Sequence, residues 1–218
     1  MESLQDRAYD TIYESIISLD LLPGQRVSDR DFEVQLEMSR TPIREAMLRL
    51  TRNGLLKSVP QSGTFITKIN LGKTLDARYV RQTLERKVIG EVVSNHSNEL
   101  VEDLELLIFE QRRAANRNEL KSFFNFDDKF HESFYTASNH ANIWHWLLTL
   151  SSDLNRFRSL RLADKNLSLS PLLQEHEELL AAVKNNDAEE ADKVIQSHLD
   201  LQLIDKDEVT KQYPEYFE

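Results

Sequence analysis

Asp127 and His131 stand four positions apart in Phe126-Asp127-Asp128-Lys129-Phe130-His131, so in a helix both side chains leave the same face and can hold one ion. His176 sits among Leu172, Leu173, Leu179, Leu180 and Val183, and His198 among Val194, Ile195 and Leu201, each on the apolar face of its own segment. The three imidazoles therefore point toward one core. A buried imidazole must find a partner or lose solvation, and a divalent cation held by Asp127, His131, His176 and His198 satisfies all four groups at once. This nitrogen and oxygen set suits Zn, Ni, Co or Mn, the choice resting on geometry and cellular supply. A single carboxylate leaves such an ion with net positive charge and open positions, which attract a small anionic effector, an organic or sugar acid. Asp128, three residues before His131, competes with Asp127 for the same role. Any one of these histidines alone reads as a hydrogen-bonded core residue, and His96, His140 and His145 have no partner pattern.

A second chemistry lies near the N-terminus. The chain carries a net charge of -10, which argues against nucleic acid, yet Ser39 to Lys57 holds Arg40, Arg44, Arg49, Arg52 and Lys57 against the lone acid Glu45. Phosphate neutralisation depends on where charge sits, and this is a compact basic footprint in an acidic chain. Ile43, Ala46, Met47 and Leu50 follow the spacing of an inward helix face, leaving Arg40 and Arg44 exposed at its start. A helix presented this way reads the major groove, its arginines reaching guanine O6 and N7 while Ser39 and Thr41 contact phosphate. A solvated basic face is the ordinary alternative.

The elements that must position these groups follow from periodicity. Tyr9, Ile12, Tyr13, Ile16 and Ile17 predict a first helix ending near Leu19, before Pro23-Gly24. Ser28 caps a short second helix with Phe32, Val34 and Leu36; Thr41-Pro42 opens a third that Gly54 ends. Two β-prone runs, 55–60 and 64–69, flank Gly63. Three helices and a β-hairpin make a winged helix-turn-helix over residues 1–70. Residues 71–218 read as an all-α bundle of six or seven helices, at roughly 73–94, 98–116, 119–138, 141–163, 171–185 and 188–208. Ser170-Pro171 and Asp187 with Glu190 sign two of the starts, the connection near Asn70 to Lys73 is short, and the tail from Lys206 is expected to fray. Asp153, Arg156, Arg158 and Arg161 fall on the fourth of these helices, where the spacing leaves open which arginines face inward.

Pro23-Gly24, Ser39-Arg40-Thr41-Pro42-Ile43-Arg44-Glu45-Ala46, Asn53-Gly54-Leu55 and Gly63-Thr64-Phe65-Ile66 resemble, in order and spacing, a GntR-family regulator. The resemblance implies DNA contacts by Arg30, Arg40, Thr41 and Arg44, and by Ser62 and Gly63 of the wing. Phe126-Asp127-Asp128-Lys129-Phe130-His131, Glu175-His176 and His198-Leu199 resemble the FCD ligand-binding domain of the FadR branch. In metal-binding members the matching positions are ligands, here Asp127, His131, His176 and His198. Arg81 looks like the family's effector-clamping arginine; an Arg81–Glu85 surface pair is the alternative.

These readings imply a ligand-responsive repressor, a homodimer on a pseudo-palindromic operator of double-stranded DNA. Cysteine is absent, excluding disulfides, thiolate metal sites and cysteine nucleophiles. The polar N-terminus lacks a signal core and no apolar run reaches membrane length, so a cytoplasmic protein with no membrane partner is expected. Two other readings remain. A cation with open positions can activate water, as in a metal-dependent hydrolase or isomerase, but no general base or oxyanion motif stands beside it. Alternatively the histidines line an apolar pocket without metal.

Overall fold

The protein was analysed as a computed structural model that describes residues 3–163, 168–201 and 203–218. The N-terminal unit packs α1 (Leu4–Ile17), α2 (Asp29–Leu36) and α3 (Arg40–Arg52) against a small sheet of β1 (Arg26–Val27), β2 (Leu56–Val59) and β3 (Gly63–Ile66). Ser28 caps α2 through a reciprocal box with Asp31, and Gly54, at φ +74°, ends α3 in a conformation that L side chains adopt with strain. The wing is larger than the expected hairpin. β1 pairs antiparallel with β3, giving the order β1-β3-β2, because Val27 has a buried place opposite Thr64 that a two-stranded wing leaves open. Ala8, Ile12 and Ile16 of α1 meet Phe32, Ile43, Ala46, Leu50 and Ile66 in one core.

The C-terminal unit contains α4 (Leu71–Val93), α5 (Asn98–Asn116), α6 (Leu120–Ala137), α7 (Ala141–Leu150), α8 (Ser152–Ala163), α9 (Ser170–Lys184), α10 (Ala188–Leu201) and α11 (Lys206–Gln212). Eight α-helices thus lie among the described residues, against an expectation of six or seven. One reason is a break at Ser151, where a single helix over 141–163 was predicted. The Ser151 hydroxyl donates to the Leu147 carbonyl at 2.7 Å, and its own carbonyl starts α8 by accepting from Asn155 N–H. The other lies near the tail, where α10 stops at Leu201 and α11 begins at Lys206; Gln202, inside the predicted 188–208 helix, lies outside the described residues.

The tail does not fray as expected. Val209 is fully buried, and Ile69 forms a parallel bridge with Phe217, its N–H donating to Tyr216 O at 2.8 Å. Ile69, Ala77, Leu154, Phe157 and Val209 make an apolar cluster with Tyr213, Tyr216 and Phe217 against it. Aromatic side chains near the end of the chain hold it there, because releasing them would return that area to water. The main bundle core, including Val88, Leu104, Phe130, Phe134, Val183 and Ile195, lies toward the C-terminal end of α4. No helix among the described residues is long and apolar enough to cross a membrane.

Candidate functional site

Three helices bring the predicted ligand set together. α6 carries Asp127 and His131, α9 carries His176 and α10 carries His198, all four side chains are buried, and one ligand atom from each lies within 4.8 Å of the others. His176 Nε2 is 3.3 Å from His198 Nε2 and 3.7 Å from Asp127 Oδ1; His131 Nε2 is 3.9 Å from Asp127 Oδ2. Ligands about 2.0 to 2.2 Å from a shared ion must stand roughly 3 to 4.4 Å from one another, so these separations fit one coordination sphere.

The outward ring nitrogens are equally informative. His176 Nδ1 lies 2.7 Å from Gln111 Oε1, His198 Nδ1 lies 3.2 Å from Glu175 Oε2, and His131 Nδ1 lies 2.7 Å from Glu85 Oε2. At His176 and His198 an acceptor at Nδ1 calls for the proton there and leaves Nε2 with its lone pair facing the centre, whereas the His131 Nδ1 contact with Glu85 lacks hydrogen-bond geometry. His131 Nε2 is buried with no hydrogen-bond partner, and two inward lone pairs on His176 and His198 have no proton to share. The donor set and its spacing fit a divalent ion. Asp128, the competitor considered from the sequence, instead accepts from Arg158 Nη1 at 2.9 Å.

Charge around the cluster is arranged to keep it receptive. Burial alone would raise the Asp127 carboxyl, but Arg158 beside it, and then the imidazoles, hold it well below the usual carboxylate range. Burial pushes His131 and His176 well below the ordinary histidine range, helped by the charge of Arg81 at His131 and by His198 at His176. The unfolded chain takes up protons on these two rings as pH falls through about 6.5, whereas in the folded, cation-free protein His131 and His176 stay neutral to lower pH. Stability is therefore full above that value and declines as pH falls below it toward the folded pKa. With chelator present, the urea midpoint is expected to be lower at about pH 5.5 than at about pH 7.5, and the difference to shrink in His131→Gln. Equal wild-type midpoints would contradict neutral buried imidazoles.

The N-terminal unit presents the other predicted residues. Ser39 is the N-cap of α3, Arg40, Thr41 and Arg44 occupy its first turns, and Arg30 lies on α2; all five are exposed. Ile43, Ala46, Met47 and Leu50 are buried beneath them, as the spacing predicts, and Pro42 is buried as well. Ser62 and Gly63 form the wing tip, with Gly63 at φ +123°. Arg49, part of the basic footprint, is not free: it donates to Asp6 at 2.7 Å and its guanidinium covers the Tyr9 ring at 4.2 Å.

Residues 4–66 match the bacterial regulatory proteins of the gntR family, and residues 76–201 match the FCD domain. The chain belongs to the GntR family, with an FCD domain. It is a sequence-specific DNA-binding transcriptional regulator. The regulator is similar to the HTH-type transcriptional repressor RspR of Escherichia coli (strain K12), 26% identical over 198 residues, or 91% of this chain and 86% of that protein. An uncharacterized HTH-type transcriptional regulator in an unstable DNA locus of Streptomyces ambofaciens is 26% identical over 209 residues, 96% of this chain and 87% of its own. Among solved structures, Escherichia coli McbR/YncC shares the fold with a TM-score of 0.83, at 22% identity, covering 98% of this chain and 100% of that one. Relatives and structural neighbours alike are transcriptional regulators; the chain is not an enzyme, and the hydrolase or isomerase reading falls.

Several residues of the regulator's site escaped sequence reasoning. Glu85 was seen only as a surface partner for Arg81, but Arg81 and Glu85 are 2% and 1% exposed, joined at 2.5 Å inside the bundle, so the surface-pair alternative is excluded. Their signal is the buried stripe of α4, Thr74, Ala77, Arg81, Glu85, Val88 and Val92, in which an arginine and a glutamate interrupt apolar positions. Gln111 does the same within Leu104, Ile108 and Ala114 of α5. At the wing, a Cβ on Gly63 would meet Arg26 Nε at 2.7 Å, so the glycine leaves room for that guanidinium, a contact between β1 and β3 that the sequence pattern does not reveal.

Proposed function

We propose that this regulator is a repressor of the FadR branch that senses a small organic or sugar acid at a divalent cation held by Asp127, His131, His176 and His198. The observation that carries this reading is the gathering of three buried imidazoles around one carboxylate, with the His176 and His198 rings braced at Nδ1. Bound there, a Zn, Ni, Co or Mn ion supplies positive charge and open positions for an anionic chelator. Arg81 supports an acidic effector: its Nη2 is buried without a partner, while Nε is held by Glu85. That spare donor is suited to a carboxylate. The name of the similar RspR is the support for repression.

Residues 1–70 serve as the reading head and 71–218 as the sensing and dimerisation unit. Arg30, Arg40, Thr41 and Arg44, with Ser39 at the cap and Ser62 and Gly63 at the wing, lie against DNA, and two subunits engage a pseudo-palindrome. Leu75 and Tyr79 of α4 and Leu106 and Phe109 of α5 are exposed apolar side chains that a second subunit could cover.

A thermal-shift screen of organic and sugar acids, run with and without Mn2+ or Zn2+, tests the sensing role. An effector at about a hundredfold its Kd is expected to add roughly 2.7 kcal/mol of stability, and only when cation is present. Acids that stabilise chelated protein equally would point to a pocket that needs no metal.

A further inference from the structure

Beyond the charge that Arg158 places beside Asp127, the buried arginines of α8 make contacts that the reading so far does not use. Asp153 through Arg158 are buried without a break, and residues two apart on a helix leave it in nearly opposite directions. On one side, Arg158 donates through Nη2 to Asp127, the lone carboxylate of the cation set, and through Nη1 to Asp128 at 2.9 Å and Asn155 at 3.1 Å. On the other side, Arg156 donates to the carbonyls of Thr67 at 2.6 Å and Lys68 at 3.3 Å, while Asp153 braces it at 2.6 Å and accepts from Asn70 N–H at 3.0 Å. Those carbonyls belong to the connection between the two units. Thr67 continues the path, its hydroxyl donating to Gly54 O at 2.7 Å, the residue that ends α3.

We propose that α8 couples the cation site to the reading head, with Arg158 as the sensing end and Arg156 as the output. The proposal rests on the cation-site reading above. Without cation, the Arg158 guanidinium supplies the positive charge beside Asp127. A divalent ion on the same carboxylate repels that guanidinium and weakens Asp127 as an acceptor, so Arg158 shifts onto Asp128 and Asn155, which it already holds. The helix is short, its buried run is continuous from Asp153 to Arg158, and it packs on α4 and α1, so a shift at Arg158 is carried along it and loosens the grip of Arg156 and Asp153 on residues 67–70.

Hydrogen exchange of peptides covering Thr67 to Asn70, with Mn2+ titrated in parallel by calorimetry, tests this without knowledge of the operator. The Asn70 amide donates to Asp153, so its exchange reports the grip directly, while the amides of Thr67 and Ile69, which donate to Leu55 O and Tyr216 O, report the rest of the connection. In the wild type, Mn2+ is expected to accelerate their exchange about fivefold or more. Arg158→Gln is expected to bind Mn2+ more tightly, because its competitor is gone, and to show no Mn2+-dependent change. Should that variant not fold, Arg156→Gln serves: it binds Mn2+ as the wild type does, with connection exchange that ignores the ion. Wild type that binds Mn2+ with an unresponsive connection, or a folded variant of either kind that responds as the wild type does, overturns the coupling alone. Wild type that takes up no Mn2+ overturns the cation site and the coupling together.

Discussion

Cation-free protein given Mn2+ or Zn2+ at about a thousandfold the dissociation constant is expected to gain roughly 4 kcal/mol, and so to melt roughly 8 to 16 °C higher. The size follows from what the ion would repair. Each cation-free molecule holds three buried imidazoles, one with an unpartnered Nε2 and two whose Nε2 atoms face each other at 3.3 Å. Unmet buried polar groups cost about 1 to 3 kcal/mol apiece, and the folded state alone assembles the set that relieves them. Replacing His198 by Gln is expected to abolish most of the gain while leaving far-ultraviolet circular dichroism unchanged. The gain also depends on pH: His131 and His176 are neutral at pH 7, so no protons need be expelled from them first. A chelated wild type that melts at the same temperature as the cation-supplemented one, or a His198→Gln protein with the full shift, would dispose of the cation site.

The sequence carried the ligand set because its four members sit on apolar stripes, where a polar residue is conspicuous. It carried the α3 face for the same reason, since Ile43, Ala46, Met47 and Leu50 leave no doubt which side is inward. What it did not carry are relations between distant segments. Glu85 is four residues from Arg81, a spacing equally good for a solvated pair, and only the packing of α4 inside the bundle buries both. Ser151 lies in a run whose apolar spacing continues on both sides, and its hydroxyl decides the break locally without altering the pattern. The docked tail depends on Ile69, nearly 150 positions earlier in the chain, offering both its N–H and its C=O to residues 216 and 218. The same holds for α8: its arginines were visible, but their separation into a cation-facing and a connection-facing group depends on where Asp127 and Thr67 come to rest.

Arg44→Ala is expected to weaken specific operator binding by about 1 to 3 kcal/mol per half-site, or roughly 2 to 6 kcal/mol for two subunits on a two-fold site. Arg44 is exposed on the second turn of α3 with no ion-pair partner among the described residues, so its guanidinium is available for a bidentate contact to guanine. Arg49 supplies the internal control. It lies on the same helix and carries the same charge, but it is already committed to Asp6 and the Tyr9 ring, at distances that leave it facing α1. Arg49→Ala should therefore change stability by no more than about 1 kcal/mol, the range for exposed ion pairs, and leave operator preference alone. Titrating both variants against operator and against a scrambled duplex, at one fixed salt concentration, separates base reading from phosphate attraction, because only the former discriminates between the two DNAs. If Arg44→Ala lowers affinity for both duplexes equally, Arg44 holds phosphate rather than a base, and the reading of sequence must pass to Arg30, Arg40 or the wing.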